Sequence, residues 1–146
     1  MLIKIDVRET SLHIECLKMI SNYENIKIVL ENLPIGDVII CNDDGEEIVI
    51  IERKTLYDLA SSIKDGRYNE QGYRLNGSIV SNHNIFYLVE GVLKYYNPNK
   101  GRLERKSLLS SFISISYYKG FSIHRTDDTT ESAEWIITYA NKLQKE

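Results

Sequence analysis

At 146 residues the chain has room for one domain with its own hydrophobic core. A composition of 42% hydrophobic and 27% charged residues excludes a disordered or fibrous protein. The net charge of −3 excludes a uniformly basic surface, yet the charge is sorted: residues 94–106 hold five cations against one acid, and residues 127–134 hold two Asp and two Glu with no cation.

In chain order, the apolar-rich run Leu2–Val7 predicts a first strand. The opening residues lack the basic, apolar and small-residue zones of a signal peptide, and no apolar run approaches the ~18 residues of a bilayer span, so an intracellular protein is expected. Leu12, Cys16, Met19 and Ile20 recur at helical spacing, which predicts a helix over Ser11–Ser21 with Thr10 or Ser11 as N-cap. Ile26–Leu30 is β-branched and reads as a strand, and Leu33-Pro34-Ile35-Gly36 as a connector. Asp37–Cys41 and Glu47–Glu52 are strands joined through Asn42-Asp43-Asp44-Gly45-Glu46, where Asp44-Gly45 is a strong hairpin signal. Helices follow over Thr55–Ile63 and Arg67–Ile79, then a strand over Asn84–Glu90 and a basic loop. A helix over Lys106–Lys119, a strand over Phe121–Arg125 and a helix over Glu131–Lys145 complete the chain. Cys16 and Cys41 sit in apolar stretches without metal-binding spacing and read as reduced core residues. With no repeat or linker, this is one α/β domain over residues 1–146, a central mixed β-sheet of five to six strands flanked by helices.

The hairpin places chemistry. With Asp44 and Gly45 as loop residues, Asp43 faces Glu46, Ile40 faces Val49 and Asp37 faces Glu52. Directly opposed side chains have Cβ atoms about 4.5–5.5 Å apart. Ile39, Ile50, Cys41 and Ile48 then share one face, and Val38, Ile40, Val49 and Ile51 the other. A hairpin apolar on both faces belongs in the middle of a sheet. Two acids side by side at its rim repel each other, and a bound cation or a shared proton resolves that. Lys54, two residues beyond Glu52, projects to the same face. Two acids and a lysine suit phosphodiester hydrolysis: the acids hold Mg²⁺ and the lysine faces developing negative charge. Asp6 and Glu9 follow the first strand and are expected to add ligands at the same sheet end. The alternative is that Glu52-Arg53-Lys54 is only a charged strand end.

Gly36-Asp37 followed by Glu52-Arg53-Lys54-Thr55-Leu56-Tyr57-Asp58 resembles the pattern GD…ERKxxxD of the XPF and Mus-type structure-specific endonucleases. Ile5-Asp6-Val7-Arg8-Glu9, Ser62–Gln71 with Arg74-Leu75, Tyr87-Leu88-Val89-Glu90-Gly91, Gly120-Phe121 and Arg125-Thr126-Asp127 also resemble blocks of that family in the expected order. The resemblance covers essentially the whole chain. It implies a restriction-endonuclease-like nuclease core that nicks branched or flapped DNA with Mg²⁺ or Mn²⁺, at the nucleus or another site of DNA metabolism. Isoleucine and tyrosine usage hints at an AT-rich genome, a viral replication compartment being one such setting. Asp37 and Glu52 are implied metal ligands, the Arg53 main-chain carbonyl a third, and Lys54 the catalytic cation. Asp6, Glu9, Arg53 and Asp58 are implied supports, although Asp58 equally suits a helix's positive end. No segment here resembles the tandem helix-hairpin-helix module that usually follows such a nuclease domain.

Arg67, Gln71 and Arg74 form one helix face and are expected to contact phosphate; the alternative is a solvated face with a Glu70–Arg74 pair. Lys94, Lys100, Arg102, Arg105 and Lys106, with Tyr95 and Tyr96, suit a DNA-tracking loop or a hydrophilic loop whose aromatics cover the sheet edge. Surplus apolar surface over 108–117 and 133–143 predicts a homodimer, or a heterodimer with a related subunit, through Leu109, Phe112, Ile113, Trp135, Ile136 and Tyr139. Two other functions fit the same fold: an inactive dimer partner and a non-catalytic DNA-binding module.

Overall fold

β1 (Leu2–Asp6) lies between β2 (Lys27–Glu31), which runs parallel to it, and β3 (Val38–Cys41), which runs antiparallel. β4 (Glu47–Thr55) returns antiparallel along β3, and β5 (Ile85–Glu90) and β6 (Ser122–Thr126) continue in parallel. The result is a six-stranded mixed sheet of order β2-β1-β3-β4-β5-β6, in a computed structural model that describes residues Met1–Glu146. Parallel neighbours need crossovers, and helices supply them. α1 (Thr10–Met19) connects β1 to β2, and α2 (Leu56–Asp65) with α3 (Arg67–Asn76) connects β4 to β5. The short α4 (Pro98–Gly101) and α5 (Arg105–Ile113) lie between β5 and β6, and α6 (Thr129–Lys145) follows β6.

Strand alternation divides the core into two layers. On one face Ile39, Ile50, Ile85, Tyr87 and Val89 meet Leu56, Leu59, Ala60, Leu75 and Leu108 from α2, α3 and α5. On the other, Ile3, Ile5, Val38, Ile40, Val49, Ile51 and Leu88 meet Leu12 and Cys16 of α1 and Ala133, Ile136, Ile137 and Ala140 of α6. Each such aliphatic side chain, fully buried, contributes roughly 1.5–3 kcal/mol. All four residues of β3 are buried, as a central strand requires. Cys16 and Cys41 are free and buried.

The hairpin register is as expected over Val38↔Ile51, Ile39↔Ile50 and Ile40↔Val49, and then a bulge pairs Cys41 with Glu47. Asp43 therefore does not face Glu46. The cause is Asn42, whose side chain accepts the Asp44 and Glu46 N–H groups at 3.0 and 2.9 Å and gathers the loop around itself. The extra residue turns Ile48 to the α1/α6 face, opposite to its expected side. The helix expected over Lys106–Lys119 is α-helical only to Ile113; Ser114–Tyr118 widens into a π turn closed by the Lys119 N–H on the Ser114 carbonyl. Glu9, not Thr10 or Ser11, occupies the N-cap position of α1 and makes no side-chain cap. No helix is long and apolar enough to cross a membrane.

Candidate active site

The turn before β3 needs Gly36. Its φ is +76°, and an added Cβ would lie 2.7 Å from Ile50 Cγ2. This turn sets Asp37 against the end of β4, with the Asp37 N–H on the Ile51 carbonyl at 2.8 Å. Asp37 Oδ2 accepts the Arg53 N–H at 2.8 Å. Backbone groups two apart along a strand open on the same edge, so the Arg53 carbonyl faces that side too. Glu52 is 8% exposed, and Lys54 Nζ lies 3.7 Å from its Oε1. Burial, with the Glu52 charge next, pushes Asp37 well above the usual carboxylate range, to about 7. Burial also raises Glu52, against the opposing influence of Lys54. The two acids are poised to share a proton or a cation.

Alternation sends Arg53 to the opposite face, where its guanidinium forks onto Glu90 at 2.9 and 2.6 Å and reaches Glu9 at 3.3 Å. Glu90 also accepts Ser132 Oγ at 2.7 Å and Thr129 Oγ1 at 3.1 Å, and Ser132 Oγ lies 2.6 Å from Thr126 Oγ1. This buried network ties β4 to the first turn of α6. Sequence reasoning assigned Glu90, Thr129 and Ser132 no role. The available signal was an acid ending an apolar strand that runs parallel to Glu52-Arg53-Lys54.

Asp6 and Glu9, expected as further ligands, are both engaged with protein groups. Asp6 is 1% exposed, and its oxygens accept the Arg8 N–H, Nε and Nη2 and the Leu33 N–H. The Arg8 guanidinium holds its carboxyl down at about 2. Glu9 lines the cleft but is committed to Arg53; burial and then the Asp37 charge raise its pKa. No group of three His, Cys, Asp or Glu side chains is placed to hold a metal ion. An all-oxygen set of Asp37, Glu52 and the Arg53 carbonyl remains, and two mutually repelling carboxylates, one half-buried and one buried, fit a hard divalent cation.

Arg8, Glu9, Asp37, Glu52, Lys54 and Asp58 line a cleft of about 400 Å³ together with Arg67, Gln71 and Arg74. Asp58 occupies the first turn of α2, where its N–H is capped by Thr55 Oγ1 at 3.1 Å. Arg74 donates to the Pro34 carbonyl at 2.6 Å rather than pairing with Glu70. Gln71 Oε1 is buried without a partner. Arg8, absent from the expected site, stands on the rim with its side chain 77% exposed.

The basic segment is not one loop. Lys100 and Arg102 line a separate groove, Arg105 donates to the Leu93 carbonyl at 2.7 Å, Lys94 lies over the Tyr95 ring at 5.9 Å, and Lys106 is exposed on α5. Tyr96 cannot stack on a base: it is 7% exposed and donates its hydroxyl to the Leu103 carbonyl. Tyr95 is 72% exposed.

A family model described as ERCC4 domain matches residues 5–139, nearly the whole chain, Asp37 and Glu52 included. The chain belongs to the ERCC4 domain family. This ERCC4 domain is 32% identical over 136 residues to the crossover junction endonuclease mus-81 of Neurospora crassa, covering 80% of the chain and 20% of that relative. It is 36% identical over 96 residues to the structure-specific endonuclease subunit MUS81 of Homo sapiens, covering 66% and 16%. XPF from Aeropyrum pernix, solved in complex with DNA, superposes with a TM-score of 0.72 at 26% identity, covering 99% of the chain and 64% of that structure. The chain thus spans a fifth or less of the length of these two curated relatives.

In this ERCC4 domain, one expected interface residue is excluded. Ile136 is fully buried in the protomer core. Trp135 stacks on His124 at 4.4 Å and meets Phe86 and Tyr139 edge-on, forming a half-buried aromatic cluster beside edge strand β6. Leu109 and Ile113 are 37% and 60% exposed and Phe112 is half-buried.

Proposed function

We propose that this ERCC4 domain is a structure-specific endonuclease domain that hydrolyses phosphodiester bonds in branched DNA, such as 3′-flaps, forks and junctions. The observation that carries the reading is the pairing of half-buried Asp37 with buried Glu52, with Lys54 beside them, in a cleft rimmed by Arg8, Arg67 and Arg74. The names of its relatives, crossover junction and structure-specific endonucleases, support the substrate class.

Asp37, Glu52 and the Arg53 carbonyl would hold Mg²⁺ or Mn²⁺. When bound, such a cation activates water and offsets charge developing on the phosphate. The Arg53 N–H fixes the orientation of Asp37, and Arg53 itself is fixed by Glu90. Lys54, held low in the cleft by Glu52, presents its ammonium to charge that grows on the scissile phosphate. Arg67 and Arg74 supply positive charge for flanking phosphates, and Gln71 an amide within the same wall.

The domain works as a dimer in this proposal, homodimeric or with a related subunit, through Leu109, Phe112 and Ile113 and the Trp135–Tyr139 cluster. The exposed apolar surface of α5, where Tyr117 and Tyr118 of the adjoining π turn are 77% and 78% exposed, supports it. Incubation with labelled flaps, forks and four-way junctions tests the activity. Magnesium-dependent nicks near branch points are expected, and equal cutting of unbranched duplex would contradict structure specificity.

A further inference from the structure

The other flank of α2 carries a second basic site. A groove of about 440 Å³ is lined by Tyr57, Ser61, Lys64, Asp65, Lys100 and Arg102. Its single acid is engaged: Asp65 accepts Arg67 Nε at 2.8 Å and the Arg67 N–H at 3.1 Å. None of the protein's ion pairs involves Lys64, Lys100 or Arg102. Three uncompensated cations in one groove repel each other, and a polyanion relieves that.

The turn that carries Lys100 and Arg102 is held firmly. Tyr57 stacks on Tyr96 with ring centroids 5.4 Å apart, and its hydroxyl accepts the Asn97 N–H at 3.1 Å. Lys100 Nζ sits 4.5 Å over the Tyr57 ring. Gly101 lies so close to the Tyr96 ring and hydroxyl that a side chain there would collide with them. Arg102 then adopts φ +54°, a left-handed conformation unusual for arginine. The turn is thus bolted to α2, one residue before Asp58 of the cleft.

The groove joins that cleft. Arg67 lines the cleft, and its Nη2 donates to Ser61 Oγ of the groove at 3.2 Å, so it forms a rim common to both. We propose that the groove is a phosphate track: Lys64, Lys100 and Arg102 hold the phosphodiester backbone of DNA where it leaves the cleft past Arg67. The proposal rests on the nuclease reading for what occupies the cleft. Continuity with a cation-rimmed cleft favours nucleic acid, and the lining offers no aliphatic side chain for a lipid or an amphipathic helix.

The test measures equilibrium binding of the full chain to a fluorescent 3′-flap, a plain duplex and a single strand over a salt series without divalent cation. Lys64→Gln/Lys100→Gln/Arg102→Gln is compared with Lys18→Gln/Lys27→Gln/Lys145→Gln, which removes the same charge away from the groove. Each lost phosphate contact lowers the slope of log K against log salt by about 0.9 on duplex and about 0.7 on single strand. The groove variant is expected to flatten the flap slope by about 2–3, and the control to leave it unchanged. A change confined to the duplex or single-strand probe assigns the track to that arm. Lys64→Gln alone, expected to lower the slope by about 0.7–0.9, keeps the test decisive if the triple variant misfolds. Wild-type slopes in the groove variant, or equal flattening in the control, would overturn the track. Failure of the nuclease reading would register separately, as absence of magnesium-dependent nicking while the groove effect on binding persists.

Discussion

Asp37 and Glu52 impose opposed demands on fold and function, because the burial that suits them to a cation makes them repel without one. Asp37 has its folded pKa raised above the ordinary value, so the folded state holds a proton that the unfolded state releases near pH 4. Metal-free protein therefore loses stability as pH rises from about 4 to about 7. Asp37→Asn keeps an oxygen for the Arg53 N–H and removes this titration. The variant is expected to be more stable than wild type by on the order of 2 kcal/mol at pH 8 without metal, with the gap closing below pH 5, as measured by urea unfolding. A wild type whose stability rises over that window would contradict the assignment. The proton also competes with the cation, so nicking is expected to increase with pH up to about 7 and then level off. The Asp37–Glu52–Lys54 side of the site was legible because hairpin register and strand alternation are periodic. Sequence proximity to the sheet end does not reveal that Arg8 and Leu33 occupy both oxygens of Asp6.

At the scale of elements, β4 works as a two-sided device. Glu52 and Lys54 face the cleft, and Arg53 is clamped on the reverse by Glu90 and the first turn of α6. Glu90→Gln weakens the fork and leaves the more distant Glu9 as the guanidinium's only carboxylate partner. It is expected to destabilise the fold by roughly 2–4 kcal/mol and to slow nicking through misplacement of Asp37. A change below about 0.5 kcal/mol in denaturant unfolding, small even for a surface substitution, would show the clamp to be idle. Beyond the acid that ends β5, this clamp left little trace in the sequence, since its members are separated by dozens of residues and join only through parallel pairing of β4 with β5. Strand and helix types were readable from periodicity. The hairpin bulge and the π turn were not, because a side-chain bond from Asn42 and a single widened turn leave no periodic trace.

For the whole molecule, the exposed apolar residues of α5 and the aromatic cluster beside β6 are the surfaces that a second subunit would cover. Ile113→Glu probes this better than Trp135→Glu, because Trp135 already packs on His124 and Phe86 within the protomer. Sedimentation is expected to show a wild-type dimer at tens of micromolar and a monomeric Ile113→Glu variant; a monomeric wild type would defeat homodimerisation. The fold class was legible because helical segments separate the parallel neighbours β1/β2, β4/β5 and β5/β6, while a hairpin signal joins β3 to β4. Which helix faces stay exposed was not, as Ile136 illustrates: helical spacing gives a stripe but not the side of it that meets the sheet. The central claim is that Asp37, Glu52 and Lys54 form a cation-dependent phosphodiesterase centre. It is tested most directly by titrating Mg²⁺ into wild type, Glu52→Gln and Lys54→Ala on a labelled 3′-flap, with metal binding followed in parallel. Saturable nicking by wild type is expected, with none by Glu52→Gln, and turnover lowered about 10²–10³-fold in Lys54→Ala at little change in metal affinity. Nicking by Glu52→Gln at near wild-type rate, or nicking by wild type that persists in a chelator, would contradict it.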